Sequence, residues 1–300
     1  MRGFLLKKMS KKVLMLGWEL PPHNSGGLGV ACLGLAHSLV NRGVSITFFL
    51  PQKQEYNIDF LDLVFADIKF SKSLASSYTT SALISTKSKL VNAASDFVTA
   101  SILFGRRVGE MVKAYNPDII HAHEWLTFPA GIEAKRITGK PLVVHVHSTE
   151  FDRSGGFYPN PQVYEIEKEG LESADAIVSV SNFTKNILVD KYGISPSKVK
   201  VVYNGVDDCT PKSLGPALKP LKDLGYKIVL YLGRLTLHKG PDYFVKAAEK
   251  VTQFNPKTLF VVAGSGEMQE AMIAQAGSLG ILDKMMFTGF LRGEEKDTKD

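Results

Sequence analysis

The chain has 300 residues, 44% of them hydrophobic, enough for about two domains with a core in each. Its 36 basic and 30 acidic residues leave a formal charge of +6, but the signs are interleaved, which describes a solvated surface and gives no indication of a nucleic-acid partner. Cys32 and Cys209 lie far apart without C-x-x-C spacing, which argues against a disulfide framework or a cysteine metal knuckle and fits a reducing, cytoplasmic setting. No run approaches the roughly 20 apolar residues that span a bilayer, so any membrane contact is expected to be peripheral.

In chain order, residues 1–11 read as an N-terminal extension. Their apolar stretch is too short for a secretion signal, and no small-residue cleavage site follows. Strands are predicted at 13–17, 44–50, 118–121, 141–147, 176–180 and 198–203, with amphipathic helices between them, among them 29–41 and 183–191. Short apolar strands alternating with such helices predict a parallel sheet covered on both faces, hence one Rossmann-like domain over 12–207. Residues 52–86 read as an irregular excursion with one apolar run around 61–70, followed by a long helix over 88–115. Proline, glycine and serine mark 208–224 as a linker. A second Rossmann-like domain, 225–300, is predicted to hold a buried strand at 227–232, helices at 242–254 and 267–276, and strands at 258–263 and 285–288. The fold class is α/β, with two parallel sheets. The second has about three strands against the roughly six of a complete doubly wound domain.

Two loops suggest anion binding. Strand 227–232 runs into Gly233-Arg-Leu-Thr-Leu-His-Lys-Gly240, which brings Arg234 and Lys239 to the carboxyl edge of a parallel sheet, where open α/β folds bind ligands. Gly233 and Gly240 reduce crowding, Pro241 can open the next helix, and that helix's N–H groups favour an anion such as a diphosphate. A turn with two solvated cations is the plain alternative. The first loop, Glu19 to Gly29, has prolines that delay the helix and Gly26, Gly27 and Gly29, which let backbone N–H groups face a ligand. Its spacing is not the G-x-G-x-x-G dinucleotide fingerprint, and an ordinary strand-to-helix connection would also explain it.

Histidines are the other concentration of chemistry. His121-Ala-His123 and His145-Val-His147 each end a strand, and alternation puts both members of a pair on one face. With Glu124, Glu150 and Asp152 nearby they could ligate zinc or iron in a metal-dependent hydrolase; polar lining of a cleft or a satisfied structural role are the alternatives. Glu165, Glu167 and Glu169 read as the solvated face of a helix. Asn204-Gly205 and Gly264-Ser-Gly266 follow strands, as ordinary or ligand-facing turns. No Asp-x-Asp triplet occurs, which disfavours transferases that hold a divalent ion through such a pair.

In order along the chain, Gly26-Gly-Leu-Gly29, His121-Ala-His-Glu-Trp125, Val143 to Asp152, Val178 to Thr184, Val202-Tyr-Asn-Gly-Val-Asp207, Gly233-Arg234 to Lys239-Gly240 and Phe287-Thr-Gly289 resemble the retaining GT-B glycosyltransferases of the glycogen synthase, starch synthase and sucrose synthase group. The resemblance runs from about Lys12 to Gly289. It implies a nucleotide-diphosphate sugar as donor substrate and a carbohydrate or other hydroxyl acceptor, with no cofactor and no metal required. Arg234 and Lys239 would offset charge on the departing diphosphate, and His147 would hydrogen-bond the donor sugar. Gly26, Gly27, Gly29, Asn204, Gly233, Gly264 and Thr288 would border the donor, in a site between the two domains. Asn24 stands where starch and bacterial glycogen synthases usually carry lysine, a departure from that narrower type.

In this group a paired-glutamate segment, E-x7-E, follows one strand and helix beyond the Phe-Thr-Gly turn. It does not occur within these residues. The expectation is a C-terminally truncated chain with impaired activity and an exposed strand edge prone to association. A non-catalytic nucleotide-binding remnant is the alternative function, together with a GT-B-like epimerase or phosphorylase.

Overall fold

The structure is a computed structural model that describes residues 10–23, 26–68, 91–156, 158–206 and 218–291, with backbone alone for 91–96. Most of the N-terminal extension, much of the 52–86 excursion, most of the linker including Cys209, the position of Asn24 and the polar end of the chain lie outside the described residues. The chain divides into two compact units, residues 1–206 and 207–300.

The first unit alternates strand and helix: β1 (Lys12–Leu16), α1 (Gly27–Val40), β2 (Ser45–Leu50), β3 (Asp62–Phe65), α2 (Val91–Met111), β4 (Ile119–His123), α3 (Phe128–Thr138), β5 (Leu142–Val146), α4 (Glu150–Arg153), α5 (Pro161–Ser173), β6 (Ala176–Ser179), α6 (Asn182–Tyr192) and β7 (Val199–Val201). The seven strands pair parallel in the order β3-β2-β1-β4-β5-β6-β7. Strand β3 was not predicted, because four residues, DLVF, are too few to establish a period.

Alternation along the strands sorts their side chains onto two faces. Leu14, Leu16, Ile120, Ala122, Val144 and Ile177 pack with Phe104 of α2, Phe128 and Ala130 of α3 and Leu171 of α5. Val13, Met15 and Phe48 pack on the opposite face with Leu28, Cys32 and Ala36 of α1. Each large apolar side chain fully buried this way contributes about 1.5–3 kcal/mol. Connections reverse direction between β1 and β4, so the carboxyl ends of these neighbours form the switch point where open α/β sheets bind ligands.

In the second unit α7 (Lys219–Asp223) precedes β8 (Lys227–Leu232), α8 (Pro241–Phe254), β9 (Thr258–Ala263), α9 (Gln269–Ser278) and β10 (Met285–Gly289). The segment expected to be a linker therefore ends in a short helix, opened by Pro220 within its first turn. The sheet is parallel, in the order β10-β9-β8. Phe260 and Val262 of β9 pack with Val245 and Ala248 of α8 and Met272 and Ala276 of α9. Strand β8 is not the buried strand its apolar sequence predicts. Leu230 is 57% and Leu232 63% exposed. As the edge strand, β8 sends Tyr231 toward the α8 and α9 core and turns Leu230 and Leu232 away from it.

Candidate functional site

Four of the chain's seven histidines meet at the carboxyl ends of β4 and β5. His121 lies in register with Met15, and His123 with His145, so the rings stand on the face that α1 covers. His145 Nδ1 is 3.3 Å from His121 Nε2, and His123 Nδ1 is 3.2 Å from His147 Nε2. The ring centroids of His121 and His123 are 4.2 Å apart, and those of His145 and His147 are 4.4 Å apart. His123 and His145 are buried, and the Nε2 atom of each has no hydrogen-bond partner. Burial lowers the pKa of all four imidazoles, to about 3 for His121 and about 4 for His145, so they are neutral at neutral pH.

The carboxylates that the hydrolase reading placed with these rings are engaged elsewhere. Glu124 Oε1 accepts from the backbone N–H of His147 at 2.6 Å and of Ser148 at 2.7 Å, and its Oε2 accepts from Arg153 Nη1 at 3.2 Å. Glu150 Oε2 accepts from Arg153 Nε at 3.1 Å, and Glu167 accepts from Arg153 Nη2 and from the Tyr192 hydroxyl. Asp152 closes a capping box with Thr149 at the start of α4. Glu167 is therefore buried, contrary to the solvated-face expectation, while Glu165 and Glu169 are exposed. The reason is a buried guanidinium 14 residues away, which the local pattern does not reveal.

Arg153, with its three carboxylates, is almost wholly out of solvent. Burial lowers its pKa, but the surrounding carboxylates outweigh burial and hold it charged. Burial pushes the Glu124 carboxyl up to about 7 against the opposing pull of Arg153 and the two backbone N–H groups. Glu124 adopts φ 65°, ψ 161°, a sparsely populated conformation that costs on the order of 1–3 kcal/mol and occurs where surrounding contacts enforce it. The network anchors the turn that carries His147. No sequence motif pointed to Arg153.

The glycine loop ends in a helix that starts earlier than predicted. Gly26 is the N-cap in extended conformation, while Gly27 and Gly29 lie in the first turn of α1, where N–H groups lack intrahelical partners. Gly27 is exposed, and a Cβ there would meet nothing within 4 Å. Asn204 is exposed just beyond β7.

In the second unit the turns after β8, β9 and β10 are laced together. Gly233 N–H donates to Ala263 O at 3.0 Å, Leu235 N–H to Ser265 O at 3.0 Å, and Gly264 N–H to Gly289 O at 2.8 Å. Gly264 has φ 150°, and a Cβ on it would lie 1.8 Å from Gly233 O, so only glycine lets these turns approach. Its N–H is thus committed within the protein. Arg234 is partly exposed and Lys239 exposed, at the end of a 3₁₀ turn, Leu237–Lys239, that delivers the chain to α8. Gly240 caps α8 at φ 60° with Pro241 in its first turn. The Tyr231 hydroxyl donates to Arg234 O at 3.0 Å and Lys239 O at 3.4 Å, tying both ends of the loop to β8. Thr288 Oγ1 lies 3.2 Å from Gly289 O and 3.5 Å from Val262 O. Within this unit the structure gathers Gly233, Arg234, Lys239, Gly264 and Thr288 at one sheet edge. Tyr231 and Gly289 are added to that edge. Among the described residues no helix is long and apolar enough to cross a membrane.

Residues 25–208 match the family described as Glycosyltransferase Family 4, and residues 218–298 match Glycosyl transferases group 1. An uncharacterised glycosyltransferase of Methanocaldococcus jannaschii is 28% identical over 300 residues, covering 94% of this chain and 70% of that protein. A glycogen synthase of Mycobacterium tuberculosis is 24% identical over 301 residues, covering 93% and 68%. Among solved structures, Anabaena HepE in complex with UDP and glucose superposes with a TM-score of 0.65 at 17% identity, over 93% of this chain and 69% of that one.

Proposed function

This chain belongs to Glycosyltransferase Family 4, and from that membership we propose that it moves a hexosyl group from a nucleoside-diphosphate sugar to a hydroxyl of a carbohydrate or other acceptor, with retention at the anomeric carbon. Its fold is α/β of the GT-B type, with a seven-stranded parallel sheet and a second parallel sheet. The observation that carries the proposal is the loop Gly233 to Gly240. It sits at the carboxyl edge of the second sheet, in the stretch that matches Glycosyl transferases group 1, and bears two cations at the start of a 14-residue helix. HepE in complex with UDP and glucose lends support to a nucleotide-sugar donor.

In the proposed reaction the bond between the anomeric carbon and the diphosphate oxygen breaks, and the electron pair leaves with the diphosphate. Arg234 and Lys239 offset that charge, the guanidinium through paired N–H donors and the ammonium as a compact cation, with the α8 N-terminus adding positive partial charge. His147, neutral and held by the Glu124 network, donates or accepts one hydrogen bond at the sugar. Gly27 presents its first-turn N–H to phosphate. Gly264 and Thr288 shape the base side of the donor site, with Gly264 acting through its contact with Gly233 rather than through a free N–H. The chemistry needs no metal, because fixed cations supply the leaving-group stabilisation. We place the reaction in the cytoplasm, where nucleotide sugars would be available to a chain whose two cysteines lie far apart in sequence.

The test is incubation of the full chain with UDP-glucose or ADP-glucose and a panel of sugar acceptors. Glucosyl transfer with an α-linked product supports the reading. Nucleotide binding without transfer to any acceptor favours the non-catalytic alternative, and an inverted product overturns retention.

A further inference from the structure

We propose that His121, His123 and His145 form a binding site for a late first-row divalent ion such as Zn²⁺ or Cu²⁺, a site that no step of the proposed sugar transfer uses. One ligand nitrogen from each of the three residues lies within 4.8 Å of the others. The His121 Nε2 to His145 Nδ1 separation of 3.3 Å is close to the distance between two nitrogens on one tetrahedral zinc with bonds of about 2.0–2.1 Å, which is about 3.3–3.4 Å. All three residues stand on two directly paired strands, with His123 opposite His145, so the backbone fixes their spacing. Such rigidity lowers the cost of assembling ligands around an ion.

Hydrogen bonding within the protein does not close this cluster. The close nitrogen pairs, His121 with His145 and His123 with His147, each use one nitrogen of a ring. The Nε2 atoms of His123 and His145 remain buried and without partners. Leaving a buried polar nitrogen unpaired costs about 1–3 kcal/mol, and with His145 ligating through Nδ1 it is the unpaired His123 Nε2 that an ion in this cluster would satisfy. Neutral imidazole suits zinc, copper and nickel, whereas oxygen-preferring magnesium or calcium finds no carboxylate among these rings. Cys32 with His123 and His147 makes an overlapping set. A thiol binds zinc as the thiolate and must give up its proton, whereas the three imidazoles bind without losing one, so the histidines are the set proposed.

The test uses the full chain. Zn²⁺ affinity is measured by competition with a chromophoric chelator for the wild type, His121→Gln and His145→Gln, with a circular dichroism spectrum of each. One equivalent of Zn²⁺ is expected for the wild type, and each variant should weaken binding beyond the ~10–100-fold that loss of a merely supporting group costs. Cu²⁺ electron paramagnetic resonance of the wild type is independent of how the variants fold, and should show hyperfine splitting from about three imidazole nitrogens. No Zn²⁺ uptake, unchanged affinity in both folded variants, or a copper spectrum without nitrogen splitting would overturn the site.

Discussion

Glu124 accepts the backbone N–H of His147 at 2.6 Å, joining the end of β4 to the residue after β5. The bond makes the position of His147 depend on a buried carboxylate that is itself tied to Arg153. The geometry of His147 is therefore set from behind.

Replacing Glu124 by alanine leaves the N–H groups of His147 and Ser148 without their acceptor. Stability should fall by about 1–3 kcal/mol for each group left unsatisfied. The turnover number should fall more than donor KM rises, because the loss acts through placement of His147. Urea unfolding and steady-state kinetics of Glu124→Ala check both expectations, and Glu124→Gln, which keeps one acceptor oxygen, should recover part of each.

Arg153 is the keystone of the same network. Arg153→Met would leave Glu124, Glu150 and Glu167 buried beside one another, and breaking a buried pair in this way costs about 3–5 kcal/mol. A double-mutant cycle with Glu167→Gln should show strong coupling, since neutralising Glu167 removes one of the stranded charges. Additive effects on the unfolding free energy would show that the pair is not coupled.

The stability effects of alanine at Gly264 and Gly27 should be opposite. At Gly264 a Cβ would lie 1.8 Å from Gly233 O at φ 150°, so Gly264→Ala should displace the Arg234 loop and weaken nucleotide binding as well as the second unit's stability. At Gly27 nothing of the protein lies within 4 Å, and alanine in a helical turn is favoured over glycine by roughly 0.5–1 kcal/mol. Gly27→Ala should thus keep or raise the melting temperature while weakening donor binding. A Gly27→Ala protein with unaltered donor affinity would remove that glycine from the phosphate site.

Much of this organisation could be read from residue patterns, and the failures share a cause. Strands 12–16, 45–50, 142–146, 227–232 and 258–263 were recognisable because each is a short, largely apolar run, most of them rich in β-branched or aromatic residues. The Gly233 to Gly240 loop and the paired histidines followed from strand ends. Glu167 was misread because its partner Arg153 and its neighbour Tyr192 lie on other elements, and a buried charge looks like a surface charge until its partner is known. Strand β8 was misread in the opposite sense, since an apolar sequence does not say whether both faces of an edge strand are covered. The fit of Gly264 against Gly233 is a tertiary contact that no local pattern encodes.

The proposed transfer needs no divalent ion, and an ion bound to the histidine triad takes no part in it. Activity should therefore survive exhaustive chelation, measured as the transfer rate with and without EDTA. Abolition by EDTA, with recovery on adding Mg²⁺ or Mn²⁺, would replace cation-side-chain stabilisation of the leaving group with metal catalysis.

Calorimetric titration of the wild-type chain and Arg234→Ala with UDP and ADP tests the diphosphate assignment most directly. A charge-assisted hydrogen bond of about 1.5–3 kcal/mol predicts roughly 10- to 150-fold weaker binding of the preferred nucleotide in the variant, with the second unit still folded. Equal affinity in the two proteins would contradict it.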